Sequence, residues 1–105
     1  MTLANNSEMV IVGTSETTIY TASSKSMVIL LQVTNLNESA VTCGLYLTDG
    51  SDVYQGPLFP TTSIATMDGI TDTSKHLIKS GYKIKGVAGT ASSIYAEVTV
   101  AEGVL

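Results

Sequence analysis

Alternation of apolar and polar residues is the main pattern along this chain, and helical periodicity is nearly absent. In residues 41–48 every second residue is apolar, and residues 94–100 repeat this pattern near the end of the chain. A period of two indicates β-strands that bury one face and expose the other. Clusters of Gly, Asp, Asn and Ser separate these segments, as turns require. The sequence therefore predicts about eight strands and an all-β fold.

A small antiparallel β-sandwich, of the jelly-roll type, best accommodates about eight strands in roughly 100 residues. A seven-stranded sandwich like that of immunoglobulins is the closest competitor. No internal repeat or linker divides the sequence, so we expect one domain over residues 8–105. Residues 1–7 are expected to form a flexible N-terminal arm that orders on a partner. The predicted strands span residues 9–12, 17–21, 26–35, 41–48, 82–87 and 93–101, with weaker extended segments at 53–58, 63–68 and 75–78.

The longest predicted strand, Ser26 to Asn35, departs from simple alternation. Ile29 and Leu31 belong to one apolar face, and Val28 and Leu30 make the opposite face apolar as well before it turns polar. A sandwich strand with one face in solvent normally alternates apolar and polar residues. The pattern therefore predicts a strand covered on both sides.

Residues 9–12 show the same feature, because both of their faces are apolar. The pattern predicts no helix that could cover these strands. A second subunit is the cover we expect, since apolar burial stabilises association by about 25 cal/mol per Å². Alternatively, the segment at residues 58–66 folds back over them. The predicted subunit-interface residues are Val10, Val12, Val28 and Leu30.

The charge composition supports assembly and excludes other functions. Charged residues make up 13% of the chain, well below the roughly 25% of an average soluble domain, and interface cores are depleted in charge. Five lysines, no arginine and nine acidic residues leave a net charge of -4. Nucleic-acid binding through phosphate neutralisation needs clustered basic residues, so we expect no nucleic-acid partner. The hydrophobic fraction of 44% argues against a disordered chain.

Targeting and redox signals point to an intracellular site of assembly. The first residues lack the basic and apolar regions of a secretory signal. The longest apolar run, residues 27–31, is far shorter than the roughly 20 residues of a membrane-spanning helix. We therefore expect no membrane partner and assembly in a cytoplasm. Cys43, the one cysteine, is expected to be a buried structural thiol rather than part of a disulfide scaffold.

Residues that could carry chemistry do not form a recognisable motif. The segment Asp49 to Asp52 lacks the ligand run of a calcium loop and predicts a hairpin turn. His76 has Asp72 four residues earlier but no second histidine or thiol at metal-ligand spacing. The serines lie outside any Gly-x-Ser-x-Gly elbow. We therefore expect no catalytic residue, no metal and no cofactor.

An aromatic cluster near one predicted hairpin leaves two interpretations open. Tyr46, Tyr54 and Phe59 lie close together in the sequence. Exposed aromatic rings could form a platform for a sugar ring, as in carbohydrate-binding modules. The same residues could instead close one end of the core, which is the interpretation we favour.

Several passages resemble small β-sandwich virion proteins of tailed bacteriophages, of the head-decoration (cement) and neck types. They are TTIYT at residues 17–21, the strand MVILLQVTN at 27–35, the hairpin YLTDG at 46–50, and IKSGYKI at 78–84 followed by GTASSIYA at 89–96.

The resemblance implies a non-enzymatic virion protein that clamps neighbouring subunits of the major capsid protein. It further implies a homo-oligomer, commonly a trimer at local threefold positions of the shell. The alternatives are a neck or tail adaptor that contacts other virion proteins, and a carbohydrate-binding module. If Leu30 contacts another subunit, Leu30→Asp should give a monomer or an insoluble chain.

Overall fold

The computed structural model describes residues 4–103, in which nine strands form two antiparallel sheets packed face to face. The all-β sandwich predicted from the alternation is confirmed. In this part of the chain no helix is long and apolar enough to cross a membrane. The strands are β1 (Ala4–Val12), β2 (Thr17–Thr21), β3 (Ser26–Asn35), β4 (Val41–Thr48), β5 (Tyr54–Ile64), β6 (Gly69–Asp72), β7 (His76–Ile78), β8 (Lys83–Ala88) and β9 (Ile94–Glu102).

The order of the strands is that of a jelly roll. The first sheet runs β1-β9-β3-β6, with β7 also paired to β3, and the second sheet runs β2-β8-β4-β5. The first strand therefore pairs with the last, and the chain crosses between the sheets at most of its connections. The short strands β6 and β7 pair with successive parts of β3 and together occupy one position. Nine strands thus fill the eight positions that the sequence predicts.

The core lies between the two sheets and is made of the inward faces of both. Leu31, Ile84 and Ile94 are fully buried there. In β9 the alternation holds along the strand, so the apolar set predicted at residues 94–100 faces inward. Lys83 and Lys85 lie on the outward face of β8, as the alternation in residues 82–87 predicts.

A β-bulge in β3 corrects the face assignment made from the sequence. Val28 pairs with Val100 and Leu30 pairs with Thr99, so Ile29 is the extra residue between them. One inserted residue reverses the direction of every later side chain in the strand. Val28 therefore faces the core, whereas Leu30 lies on the outward face beside Thr99. The inward face of β3 therefore carries Val28 and Leu31, and its outward face carries Met27 and Leu30 before it turns polar at Gln32.

The edge strand β5 corrects a second expectation. It continues through Pro57 and Pro60, although the prolines predict a break and a loop at this point. Proline is tolerated on edge strands and at bulges, because no ladder hydrogen bond is needed from its nitrogen. The register of β5 against β4 shifts at three places. Most of the segment 58–66 therefore belongs to the second sheet and does not fold back over β3.

The first strand begins earlier than the apolar pattern predicts. Ala4 pairs with Glu102 and Val12 pairs with Ile94, and the pairing is unbroken between these ends. The part of the predicted arm at residues 4–7 therefore lies in β1, as backbone pairing with β9 continues beyond the apolar residues. The rest of the predicted arm, residues 1–3, lies outside the described residues.

Candidate interaction surfaces

Cys43 lies in the core, where the chemistry of its thiol is suppressed. Its side chain is fully buried. Burial disfavours the thiolate and raises the pKa of Cys43 to about 11. A thiol in this environment is neither a nucleophile nor accessible to a second cysteine. The structure places this residue where the sequence predicts a buried structural thiol.

We expect Cys43 to resist alkylation by iodoacetamide at about pH 8 in the folded protein, because the reagent needs an accessible thiolate. In concentrated urea the same thiol should react within minutes. Mass spectrometry measures one added carbamidomethyl group directly, since the sequence holds one cysteine. Rapid alkylation without denaturant would contradict the buried position.

His76 and Asp72 form a local pair beside the end of β6. The His76 Nε2 atom lies 3.0 Å from Asp72 Oδ2. Hydrogen bonds from Ser74, and then from His76, lower the pKa of Asp72 to about 2. Within residues 4–103, no group of three or more histidine, cysteine, aspartate and glutamate residues could hold a metal ion. The pair holds the β6–β7 connection together.

The turn between β4 and β5 is fixed by Asp49. Its Oδ1 atom accepts hydrogen bonds from the backbone nitrogens of Ser51, at 2.8 Å, and Val53, at 3.0 Å. The segment Asp49 to Asp52 is therefore a hairpin turn, as predicted. Its closed geometry points Asp52 towards the outward face of the second sheet.

A network of charges lies on that outward face. Lys85 Nζ is 2.5 Å from Glu16 Oε1 and 2.7 Å from Asp52 Oδ1, and its side chain is 5% exposed. Lys83 Nζ contacts the same Asp52 oxygen at 2.9 Å, and Tyr46 donates its hydroxyl proton to Glu16 Oε2 at 2.6 Å. The network ties the β1–β2 connection and the β4–β5 turn to the middle of β8.

This network makes the stability depend on pH in the acid range. Hydrogen bonds from Lys85, and then Lys83, lower the pKa of Asp52 from 3.8 to about 2. The unfolded chain therefore binds more protons than the folded chain between these values. The stability that ionised Asp52 contributes is fully present above its pKa in the unfolded chain. It is lost as the pH falls towards the lower pKa of Asp52 in the folded protein.

We therefore expect the urea midpoint of the wild type to fall between about pH 4 and pH 2, and to fall less in Asp52→Asn. Asp72 titrates in the same window in both proteins, so the difference between the two curves reports Asp52 together with its coupling to Glu16, whose pKa Lys85 also lowers. Glu38→Gln, on the exposed β3–β4 connection, is the matched control. Parallel wild-type and Asp52→Asn curves would contradict the contribution of the network.

The aromatic cluster forms a shallow pocket of about 190 Å³ beside this network. The rings of Tyr46 and Tyr54 lie 5.8 Å apart between centroids and are tilted by 40°. Tyr54 is 59% exposed, whereas Phe59 packs against the core. Each interpretation of the sequence thus describes part of the cluster, since Phe59 packs against the core and Tyr54 presents its ring to solvent.

The outward face of the first sheet, which we call the outer face, carries several exposed apolar side chains. Met9 and Ile11 of β1 are 63% and 47% exposed, and Leu77 of β7 is 59% exposed. Leu30 and Met27 of β3 lie between them and are half-buried. Met27 pairs with Leu77 across β3 and β7, so these two lie side by side, whereas Met9 and Ile11 lie beside Glu97 and Tyr95 of β9.

The predicted interface residues fall on opposite sides of the first sheet. Val12 and Val28 are 0% and 1% exposed, so neither has surface left for a partner while the fold is intact. Val10 is partly buried and packs against the core. Leu30 is the predicted residue that belongs to the outer face, and its role in an interface stays a prediction.

Met9 and Ile11, the two most exposed apolar residues of β1, are not among the interface residues predicted from the sequence. Met9 pairs with Glu97 and Ile11 pairs with Tyr95, and these partners belong to the outward face of β9. Where both faces of a strand are apolar, the sequence does not say which is inward. Pairing with β9 determines which face of β1 is inward, so the alternation in the sequence of β9 is the signal that could have indicated the inward face.

Comparisons with known proteins identify the fold alone. No protein-family model matches the sequence, and no match was found among curated proteins. Among solved structures, a chain of the Bacillus endospore appendages, which form disulfide-linked pili, is similar with a TM-score of 0.50 and 14% identity. That alignment covers 95% of this chain and 85% of the pilus chain.

A chain of infectious bursal disease virus, Gx strain, is similar with the same TM-score of 0.50 and 10% identity. The alignment covers 96% of this chain but 32% of the viral chain. This chain thus spans about a third of that protein.

Proposed function

We propose that this chain is a non-enzymatic structural protein of a virion, which decorates or cements the head shell by contacts between subunits. The observation that carries the proposal is the outer face. Met9, Ile11 and Leu77 expose large apolar side chains on one side of a rigid sheet. Full burial of one such side chain stabilises a complex by about 1.5 to 3 kcal/mol before entropy losses.

The remaining features are consistent with a structural role. The two similar structures come from a pilus and from a virus, both of which are assemblies of many chains. Cys43, the one cysteine, is buried, so assembly of this protein would not use disulfides, unlike that of the disulfide-linked pili. A sandwich with few charges presents little electrostatic cost when it is covered by a shell protein.

The proposal is tested on heads purified from a phage lysate in which this gene is deleted. Purified wild-type protein should bind these heads and sediment with them. Leu77→Lys and Leu30→Asp should weaken binding by about tenfold or more, because each places a charge within a dry contact. Met67→Lys is the matched control, since Met67 is 70% exposed but lies on the β5–β6 turn.

Two outcomes would count against a cement role. If the protein is missing from purified wild-type particles, it is not a virion component. If cryo-electron microscopy places it at the neck or tail instead of the shell, it is an adaptor, the other position that the resemblance implies.

A second candidate function follows from the pocket beside Tyr46 and Tyr54. The exposed ring of Tyr54, tilted against Tyr46 beside Glu16, offers a stacking surface and a hydrogen-bond acceptor to one sugar ring. Selective binding on a glycan array, lost in Tyr54→Ala and kept in Tyr95→Ala on the opposite sheet, would support a carbohydrate-binding module. Absence of any selective binding would leave the structural role as the better account.

A further inference from the structure

The edges of the two sheets differ in their protection against pairing with another strand. An edge strand leaves backbone N–H and C=O groups without partners, and short strands, prolines and bulges protect such edges. In the second sheet, β5 contains Pro57, Pro60 and three register shifts, and β2 has five residues and a bulge. In the first sheet, the edge beside β3 is divided between β6 and β7, of four and three residues.

The remaining edge, β1, is long and regular, and a single charged side chain is its one protection against pairing. It is nine residues long and pairs with β9 at every position without a register shift. Its sequence contains no proline, glycine or lysine, and Glu8 is its one charge. Met9 and Ile11 add exposed apolar side chains along the same strand. Among the described strands, β1 is the edge that a further strand can extend over most of its length.

We infer that β1 binds a second copy of this chain by antiparallel strand pairing across a twofold axis. Pairing of β1 with a different edge of the copy would require a second long and regular edge, and the described edges β2, β5, β6 and β7 are short or interrupted. β1 of one copy therefore pairs with β1 of the other. Such an interface uses the same surface twice and closes at two copies. A twofold pair replaces the trimer implied by the resemblance, and the inference does not rest on the proposed function.

Glu8 limits the strength of this pairing. It is the middle residue of Ala4–Val12, so full overlap of two antiparallel β1 strands places Glu8 opposite its own counterpart. Like charges directly opposite one another destabilise a strand pair. The dimer should therefore form reversibly and depend on protein concentration.

The test is sedimentation equilibrium of the full chain from about 5 to 500 μM. The apparent mass of the wild type should rise towards twice 11.0 kDa. Ile11→Lys places a charge on the open edge and should weaken association about tenfold or more. Glu8→Gln should strengthen it roughly twofold to fivefold. Leu77→Lys, on the outer face but at the opposite edge, and Met67→Lys should leave it unchanged.

Amide hydrogen exchange separates strand pairing from contact between faces. At high concentration, alternate backbone amides in residues 7–12 should gain protection, because every second residue of β1 points its N–H away from β9. Circular dichroism confirms that each variant is folded. A wild type that stays at 11.0 kDa, or an assembly limit of three copies, would overturn the inference. Equal weakening by Leu77→Lys and Ile11→Lys, with unchanged exchange in β1, would do the same and assign the contact to the outer face.

Discussion

Replacing Asn35 by alanine is expected to lower the free energy of unfolding by about 2 to 4 kcal/mol. Asn35 is fully buried at the end of β3. Its Nδ2 atom donates to the carbonyl oxygens of Ser39, at 3.0 Å, and Ile64, at 2.9 Å. Its Oδ1 atom accepts from the backbone nitrogen of Asn37 at 2.9 Å. Alanine leaves these backbone groups without their partner.

The position of Asn35 makes the loss larger than that of an ordinary turn. Its amide joins the β3–β4 connection to the end of β5, so one side chain of the first sheet holds together two connections that run between the sheets. Asn35→Asp is nearly the same size but offers a carboxylate to the carbonyl oxygen of Ile64. Two acceptors then face each other in a buried site, and the cost should exceed that of alanine.

Urea unfolding followed by circular dichroism measures these losses. Gln32→Ala, on the outward face of the same strand, is the control and should change the free energy of unfolding by no more than about 0.5 kcal/mol. If Asn35→Ala unfolds at the wild-type midpoint, water replaces the lost hydrogen bonds and the side chain does not hold the two connections together.

The elements that the sequence predicts well are those whose structure depends on local pattern. Strict alternation in residues 41–48 matches the bounds of β4. Alternation in residues 94–100 matches the start of β9, which continues for two further residues. The hairpin turn at Asp49 is likewise determined by residues next to one another, since its carboxylate bonds to nitrogens two and four residues later. Short-range chemistry of this kind can be read without the fold.

The features that the sequence does not reveal depend on distant strands. Proline predicts a loop at Pro60 because its own backbone cannot donate, but the edge position of β5 removes the need for a donor. The charge network joins Lys85 to Glu16 and Asp52, which are 69 and 33 residues away. The pocket beside Tyr46 likewise depends on distant strands, because β4, β5 and β8 all contribute to its lining. Only the order of strands in the sheet brings these groups together.

The bulge in β3 is the difference with the largest consequence, because it decides which residues are core. We expect Val28→Asp to prevent folding at about pH 7, whereas Leu30→Asp should leave a folded protein. Val28 is 1% exposed, and a carboxylate there would lie unpaired among apolar side chains at a cost of more than about 4 kcal/mol. A domain of this size has about 5 to 15 kcal/mol of stability in total.

A third variant distinguishes the bulged strand from a regular one. In a regular strand Val28 and Leu30 share a face, so their aspartate variants would behave alike and Leu31→Asp would differ from both. In the bulged strand Val28 and Leu31 both face inward on either side of Ile29. Leu31→Asp should therefore fail to fold, as Val28→Asp does, while Leu30→Asp keeps a cooperative urea transition. If Val28→Asp and Leu30→Asp behave alike while Leu31→Asp differs from both, the inserted residue is not at Ile29, and the outward face of β3 has been assigned to the wrong side chains.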